Sequence, residues 1–209
     1  MRPREAPSPA DGPAAAMADE ERIEAKGWIP DMICGRVPSS IGHGLAGIAA
    51  GWAVARPAAR TRALLIQTSG LAILGMAADL DLIIGRHSGE THSLGAAAIV
   101  ATVAAWWRWP IADNRWRIWL AAFAAWATHP LLDALAPDTL PPIGIMAFWP
   151  ISSSYFNTGI YVFSAISRRY WLVGFFRHNA IAVLREILIL TPILLAVWWT
   201  RRRGTEKQF

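Results

Sequence analysis

The 209-residue chain has one cysteine, Cys34, three tyrosines and few charges, with Asp, Glu, Lys and Arg making up 17% of residues. A single cysteine excludes an intrachain disulfide framework and a cysteine-based zinc site, and it leaves the redox compartment open. A soluble domain carries nearer about 25% charged residues. With 54% apolar residues and 12 tryptophans, the shortage of charge excludes a disordered chain and a coiled coil. The chain lacks a G-x-S-x-G motif, so it has no nucleophile elbow. No apolar run of seven or more follows the early arginines, so the start does not read as a signal peptide. No internal repeat is visible.

What is present is a basic, apolar chain with net charge +5. In a soluble protein that balance would point to nucleic acid. Here the apolar excess makes membrane lipids the better partner, and no nucleic acid is expected. Residues 1–27, with Pro3, Pro7, Pro9 and Pro13 and the acidic Asp19, Glu20 and Glu21, read as a disordered tail. Residues 28–203 read as one membrane-embedded helical domain, and 204–209 as a short C-terminal tail. Uncharged runs fall at 37–55, 63–78, 91–107, 118–132 and 187–200. Their length suits helices, and no run has a polar face for water to wet. The expectation is therefore an all-α, polytopic transmembrane bundle of about five helices, preferred over a soluble bundle with a greasy core. Pro137, Pro141, Pro142 and Pro150 forbid a continuous helix through 137–177, which reads as an irregular or interfacial stretch before the last helix.

If five helices alternate in direction, Arg56, Arg60 and Arg62, then Arg108, Arg115 and Arg117, then Arg201, Arg202 and Arg203 fall on one side. The positive-inside rule makes that side cytoplasmic, and Trp52, Trp106, Trp107, Trp109, Trp116, Trp119, Trp198 and Trp199 supply its aromatic belt. Arg168, Arg169 and Arg177 do not fit this pattern. The same alternation gathers His43, Asp79, Asp81, His87, His92, His129, Asp133 and Glu186 at the other end, weakly favoured as extracytoplasmic.

Asp79-Leu80-Asp81 offers two carboxylates that can both turn inward where a helix ends, although two solvated acids are the commoner case. An acid closing a long apolar run is expensive unless paired or used. Thr91-His92-Ser93 reads as a helix cap whose hydroxyls do not require a histidine. A helix start favours the neutral imidazole, which is the form that binds metal. His129 and Asp133 are four apart on one helix face and can meet one ion, or simply bond each other. His43 sits between glycines, where a buried polar residue is the usual finding. His87 and Thr91 rank lower. Glu186 either pairs with Arg185 or supports a ligand. His178 and Asp138 read as loop residues. Together His43, Asp79, Asp81, His92, His129 and Asp133 form an all-N/O set suited to zinc first, then Mn or Fe, as one or two divalent ions.

His43-Gly44-Leu45-Ala46-Gly47, Asp79-Leu80-Asp81, Thr91-His92-Ser93-Leu94 and His129-Pro130-Leu131-Leu132-Asp133 occur in that order, followed by Gly144-Ile145-Met146-Ala147-Phe148-Trp149-Pro150. This series, over about residues 38–199, resembles the bacterial membrane-bound metal-dependent hydrolase family. That family is also labelled YdjM-like or LexA-binding inner-membrane-associated hydrolase. It commonly has a His-Arg-Gly-aromatic stretch before Thr-His-Ser. This chain has Arg86-His87-Ser88-Gly89-Glu90 instead, which weakens any role carried over to His87. The resemblance implies a multi-pass protein of the bacterial inner membrane and a metal-activated water attacking an ester or phosphoester. Asp79 or Asp81 would orient or deprotonate that water. The looser grouping of the family with all-helical zinc phospholipases and nucleases implies a lipid-linked or phosphorylated substrate. A helix N-terminus beside the ion would stabilise developing negative charge. The alternative is a transporter or proton relay using the same His/Asp cluster. The LexA-binding label implies a cytoplasmic partner, for which no residue here speaks.

Overall fold

A computed structural model describes residues 37–84, 88–139 and 141–206. The tail over 1–27 and His87 lie outside the described residues. The fold is all-α: among the described residues there are five α-helices and no strand, only an isolated bridge between Ile145 and Phe156. The helices are α1 (Ser40–Val54), α2 (Thr61–Met76), α3 (Leu94–Trp106), α4 (Arg115–Ala134) and α5 (Phe175–Glu206). Two 3₁₀ turns, Ala77–Ile84 and Glu90–His92, join α2 to α3.

Local chemistry sets the helix ends. Ser39, Ser93 and Asn114 cap α1, α3 and α4, their side-chain oxygens accepting from the amides of Gly42, Ala96 and Arg117. The breaks after α1 and α3 contain Pro57 and Pro110, which cannot donate to a helix ladder. α4 instead continues through Pro130 to Ala134 without a break.

Small residues let the helices approach. Ala97, Ala101 and Ala104 of α3 and Ala121, Ala122 and Ala125 of α4 are buried in one core with Leu71 and Leu74 of α2. α1 and α2 meet backbone to backbone: a Cβ on Gly47 would lie 2.7 Å from the Leu71 carbonyl oxygen, and one on Gly75 would lie 2.4 Å from that of His43. Only glycine tolerates that approach.

The two ends of the bundle are closed differently. At one end the buried Gln67 joins two loops. It accepts from the Ala58 amide at 2.9 Å and donates to the carbonyls of Arg56 and Ile111 at 3.0 and 2.8 Å. This is the arginine-rich end. A cavity of about 530 Å³ lined by Arg56, Gln67, Asp113 and Arg117 opens beside it. At the other end segment 137–174 is irregular, as its prolines require, and is fastened to helix ends. The Leu94 and Gly95 amides of α3 bond the carbonyls of Ala147 and Trp149, the Val162 and Phe163 amides bond that of Leu135, and the Ile166 amide bonds that of Val37. His178 belongs to the first turn of α5 rather than to a loop and contacts the Ala165 carbonyl at 2.9 Å. Asp138 stays in the loop and accepts from the Gly144 amide.

Among the described residues two stretches, Thr61–Leu82 and Phe175–Arg203, are long and apolar enough to cross a membrane, while Leu94–Trp106 is apolar but shorter. Leu65 and Ile73 of α2, Ile99 of α3, and Leu188 and Leu195 of α5 are exposed on the outside. Gly75→Ala and Gly47→Ala are each expected to lower thermal stability by about 1–3 kcal/mol through overpacking. Gly89→Ala, whose added methyl meets nothing within 4 Å, should stay within about 0.5 kcal/mol. Thermal melts in detergent check this, and unchanged melts for both core variants would refute the close contact.

Candidate metal centre

Four helix ends deliver the polar residues to one place, as the alternation of runs predicts. His43 lies in the first turn of α1. Asp79 lies just past the end of α2, and His92 lies just before α3. His129 and Asp133 lie in the last turns of α4. His43, His92 and His129 are fully buried, and Asp133 nearly so.

Asp133 is the centre of the group. Its Oδ1 is 3.3 Å from His43 Nε2. Its Oδ2 is 3.4 Å from His92 Nε2 and 3.5 Å from His129 Nε2. Asp79 Oδ1 closes the ring, 3.7 Å from His92 Nε2 and 3.6 Å from His129 Nε2. The His43 and His129 rings stack in parallel, with centroids 3.8 Å apart. His43, His129 and Asp133 form one group able to hold an ion, and Asp79, His92 and His129 form another.

The spacing fits a cation. Two ligands about 2.1 Å from a zinc-sized ion and at a tetrahedral angle stand about 3.4 Å apart. The satisfaction of the atoms fits as well. Both ring nitrogens of His43, Nε2 of His129 and both oxygens of Asp133 are buried and make no hydrogen bond. Buried polar atoms of a folded protein nearly always have partners. Nitrogen and carboxylate oxygen with no thiolate suit Zn, Mn or Fe.

Each imidazole is held differently. His129 Nδ1 is 2.7 Å from the Gly75 carbonyl oxygen, which can only accept. That bond puts a proton on Nδ1 and turns Nε2 towards the acids. His92 turns Nδ1 towards Asp81 Oδ2 at 3.3 Å and towards the Thr91 hydroxyl at 3.0 Å. Thr91 in turn donates to Asp81 at 2.7 Å. Burial by itself lowers the pKa of His92, but the Asp79 and Asp81 carboxylates outweigh it and push the group up to about 9. A cation held among the same carboxylates would compete with that proton.

Three expectations change. The two carboxylates of Asp79-Leu80-Asp81 do not face the same atoms: Asp79 faces His92 Nε2 and His129, and Asp81 faces the opposite nitrogen of His92. In a 3₁₀ turn residues two apart diverge by about 120°, so Asp81 stands behind His92 rather than beside Asp79. Of the two readings open for Glu186, the pairing with Arg185 does not hold, because that side chain reaches Ser164. Glu186 is fully buried and accepts from the amide and hydroxyl of Ser39. The start of α3 offers no amide to a bound anion. The Leu94 and Gly95 amides go to segment 147–149, the Ala96 amide to the Ser93 hydroxyl, and the Ala97 amide to the Ser93 carbonyl. Ser93 is thus the helix cap, and Thr91 belongs to His92. The Gly75 carbonyl was not legible as a partner of His129, because no sequence pattern tells which backbone group a ring will meet.

An all-helical, apolar protein with a buried His/Asp group at one end of its bundle is the class these features define. The chain belongs to the YdjM inner membrane protein family, whose model matches residues 39–204, from the cap of α1 almost to the end of α5. No curated protein and no solved structure matches it.

Bound divalent metal, measured on detergent-purified protein, is expected to drop to background in His129→Ala. Asp81→Asn should retain the site with affinity lowered about 10–100-fold. Equal and total loss in both variants would make Asp81 a direct ligand after all.

Proposed function

We propose that the protein is a multi-pass inner membrane hydrolase that depends on a divalent metal, zinc in the first place. His43, Asp79, His92, His129 and Asp133 hold the ion. The observation that carries this reading is the convergence of buried, hydrogen-bond-poor nitrogens and oxygens at cation spacing. Family membership supports the inner membrane. The two long apolar helices and the exposed aliphatic faces of α2, α3 and α5 support several passes. The arginine-rich end with Gln67 is then cytoplasmic, and the His/Asp end faces the other side.

An ion held there supplies Lewis acidity and lowers the pKa of water towards about 7. The chain's own residues supply the rest. Asp79 is the donor nearest the surface, with its side chain 17% exposed while that of Asp133 is 2% exposed. It is the group at which water and substrate reach the cluster, and its carboxylate orients the attacking water and takes its proton. Asp133, sealed among three imidazoles, keeps them in place. Asp81 and Thr91 keep His92 Nε2 aimed inward. With the α3 amides occupied, that helix start is not available to developing negative charge. A site at a helix-bundle end, near headgroup depth, suits an ester or phosphoester carried on a lipid.

A transporter or proton relay is the competing reading. Its ion sites would be expected nearer the middle of the helices, whereas these donors lie at the ends of four of them. The metal-loaded protein is expected to hydrolyse one class among a panel of phosphomonoesters, phosphodiesters and lipid-linked phosphates. Chelation and Asp79→Asn should each remove that activity, by about 10²-fold or more for the variant. Metal-dependent ion uptake into liposomes with no hydrolysis across the panel would replace this reading with the transporter.

A further inference from the structure

His43 differs from the other two histidines. The rings of His92 and His129 are each turned by a partner on the nitrogen away from Asp79 and Asp133. The His43 ring makes no hydrogen bond at either nitrogen. Its side chain is therefore aimed by the stack on His129, by the Asp133 carboxylate 3.3 Å from Nε2 and by the backbone that carries it. That backbone is the first turn of α1, and α5 holds it from 147 residues away.

We infer that Glu186 is a positioning residue for His43, acting through Ser39. The fully buried Glu186 carboxylate accepts the Ser39 amide on Oε1 at 2.7 Å and the Ser39 hydroxyl on Oε2. The same hydroxyl oxygen accepts the Gly42 amide at 3.1 Å, and the Ser39 carbonyl accepts the His43 amide at 3.1 Å. A serine hydroxyl has one proton to give and lone pairs to offer. By taking the proton, Glu186 directs the lone pairs to Gly42 and sets the turn that presents His43. The acid also sits at the positive end of α1, where a buried carboxylate is best tolerated. Gly42 completes the clamp by being small: a Cβ there would lie 2.6 Å from Glu186 Oε2. Ser39, Gly42 and Glu186 thus do for His43 what Gly75 does for His129 and Asp81 does for His92.

This inference rests on the metal reading above and is tested on the full chain in detergent, stripped of metal and titrated with Co(II). The readouts are affinity and the visible ligand-field spectrum. Glu186→Gln and Ser39→Ala are expected to weaken Co(II) binding about 10–100-fold and to shift the spectrum in the same sense as His43→Ala. Ser39→Thr, which keeps a hydroxyl, should restore both. The double variant His43→Ala/Glu186→Gln should bind no more weakly than His43→Ala alone, because the clamp then has nothing to aim. A purely architectural Glu186 would give additive losses, and that result would overturn the inference. So would wild-type affinity and spectrum in Glu186→Gln and Ser39→Ala. If Glu186→Gln fails to fold, the pair His43→Ala and His43→Ala/Ser39→Ala makes the same comparison. Wild-type protein that binds no Co(II) overturns the metal reading and this inference with it. Wild-type binding indifferent to Ser39 and Glu186 overturns this inference alone.

Discussion

Asp133 is a carboxylate with almost no access to water, and three imidazoles press against it. An isolated charge in that position would cost several kcal/mol, so the surrounding structure is arranged around compensating it. α1 must begin, α2 must end, α3 must begin and α4 must end within reach of the same two oxygens. That demand sets the register of four helices against one another. The glycine contact between α1 and α2 serves it directly, since the Gly75 position that admits the His43 carbonyl also offers its own carbonyl to His129.

The structure orients its donors by three unlike devices. A helix carbonyl fixes one ring, a carboxylate with a threonine fixes another, and a capped helix turn carries the third. The irregular segment after α4 closes the same end and in doing so occupies the amides of α3. A helix start often binds anions; here it is used to fasten a cover. Among the described residues the opposite end carries no such His/Asp group. Its loops are tied by one glutamine, and its arginines lie with tryptophans: Arg203 sits 3.8 Å above the Trp199 ring and Arg202 4.7 Å above that of Trp198. The polarity of the molecule is thus a division of labour between two ends of one bundle.

Much of this was legible in the residues. The uncharged runs became the cores of the five α-helices, and the prolines of 137–177 marked the stretch that is irregular up to Phe175. The His129–Asp133 spacing put both groups on one face because four residues make nearly one turn. The alternation of runs sufficed to bring His43, Asp79, His92 and Asp133 to one end. The role of Asp81 was not legible, and for Glu186 the sequence left two readings open without naming Ser39. The direction of Asp81 depends on a 3₁₀ turn where an α-helical ending was equally open, and Ser39, the partner of Glu186, is 147 residues away in the chain.

The sequence alone therefore determined the helices, their ends, the family and the gathering of histidines and acids at one pole, because these follow from local periodicity, capping and the cost of charge in an apolar run. Only the tertiary structure decided which atoms of those residues face one another. It put Asp133 at the centre, set Asp81 behind His92, gave Glu186 to Ser39 and closed the α3 amides. Those choices depend on the rotation and depth of each helix against its neighbours, which packing of small residues sets and no single segment encodes.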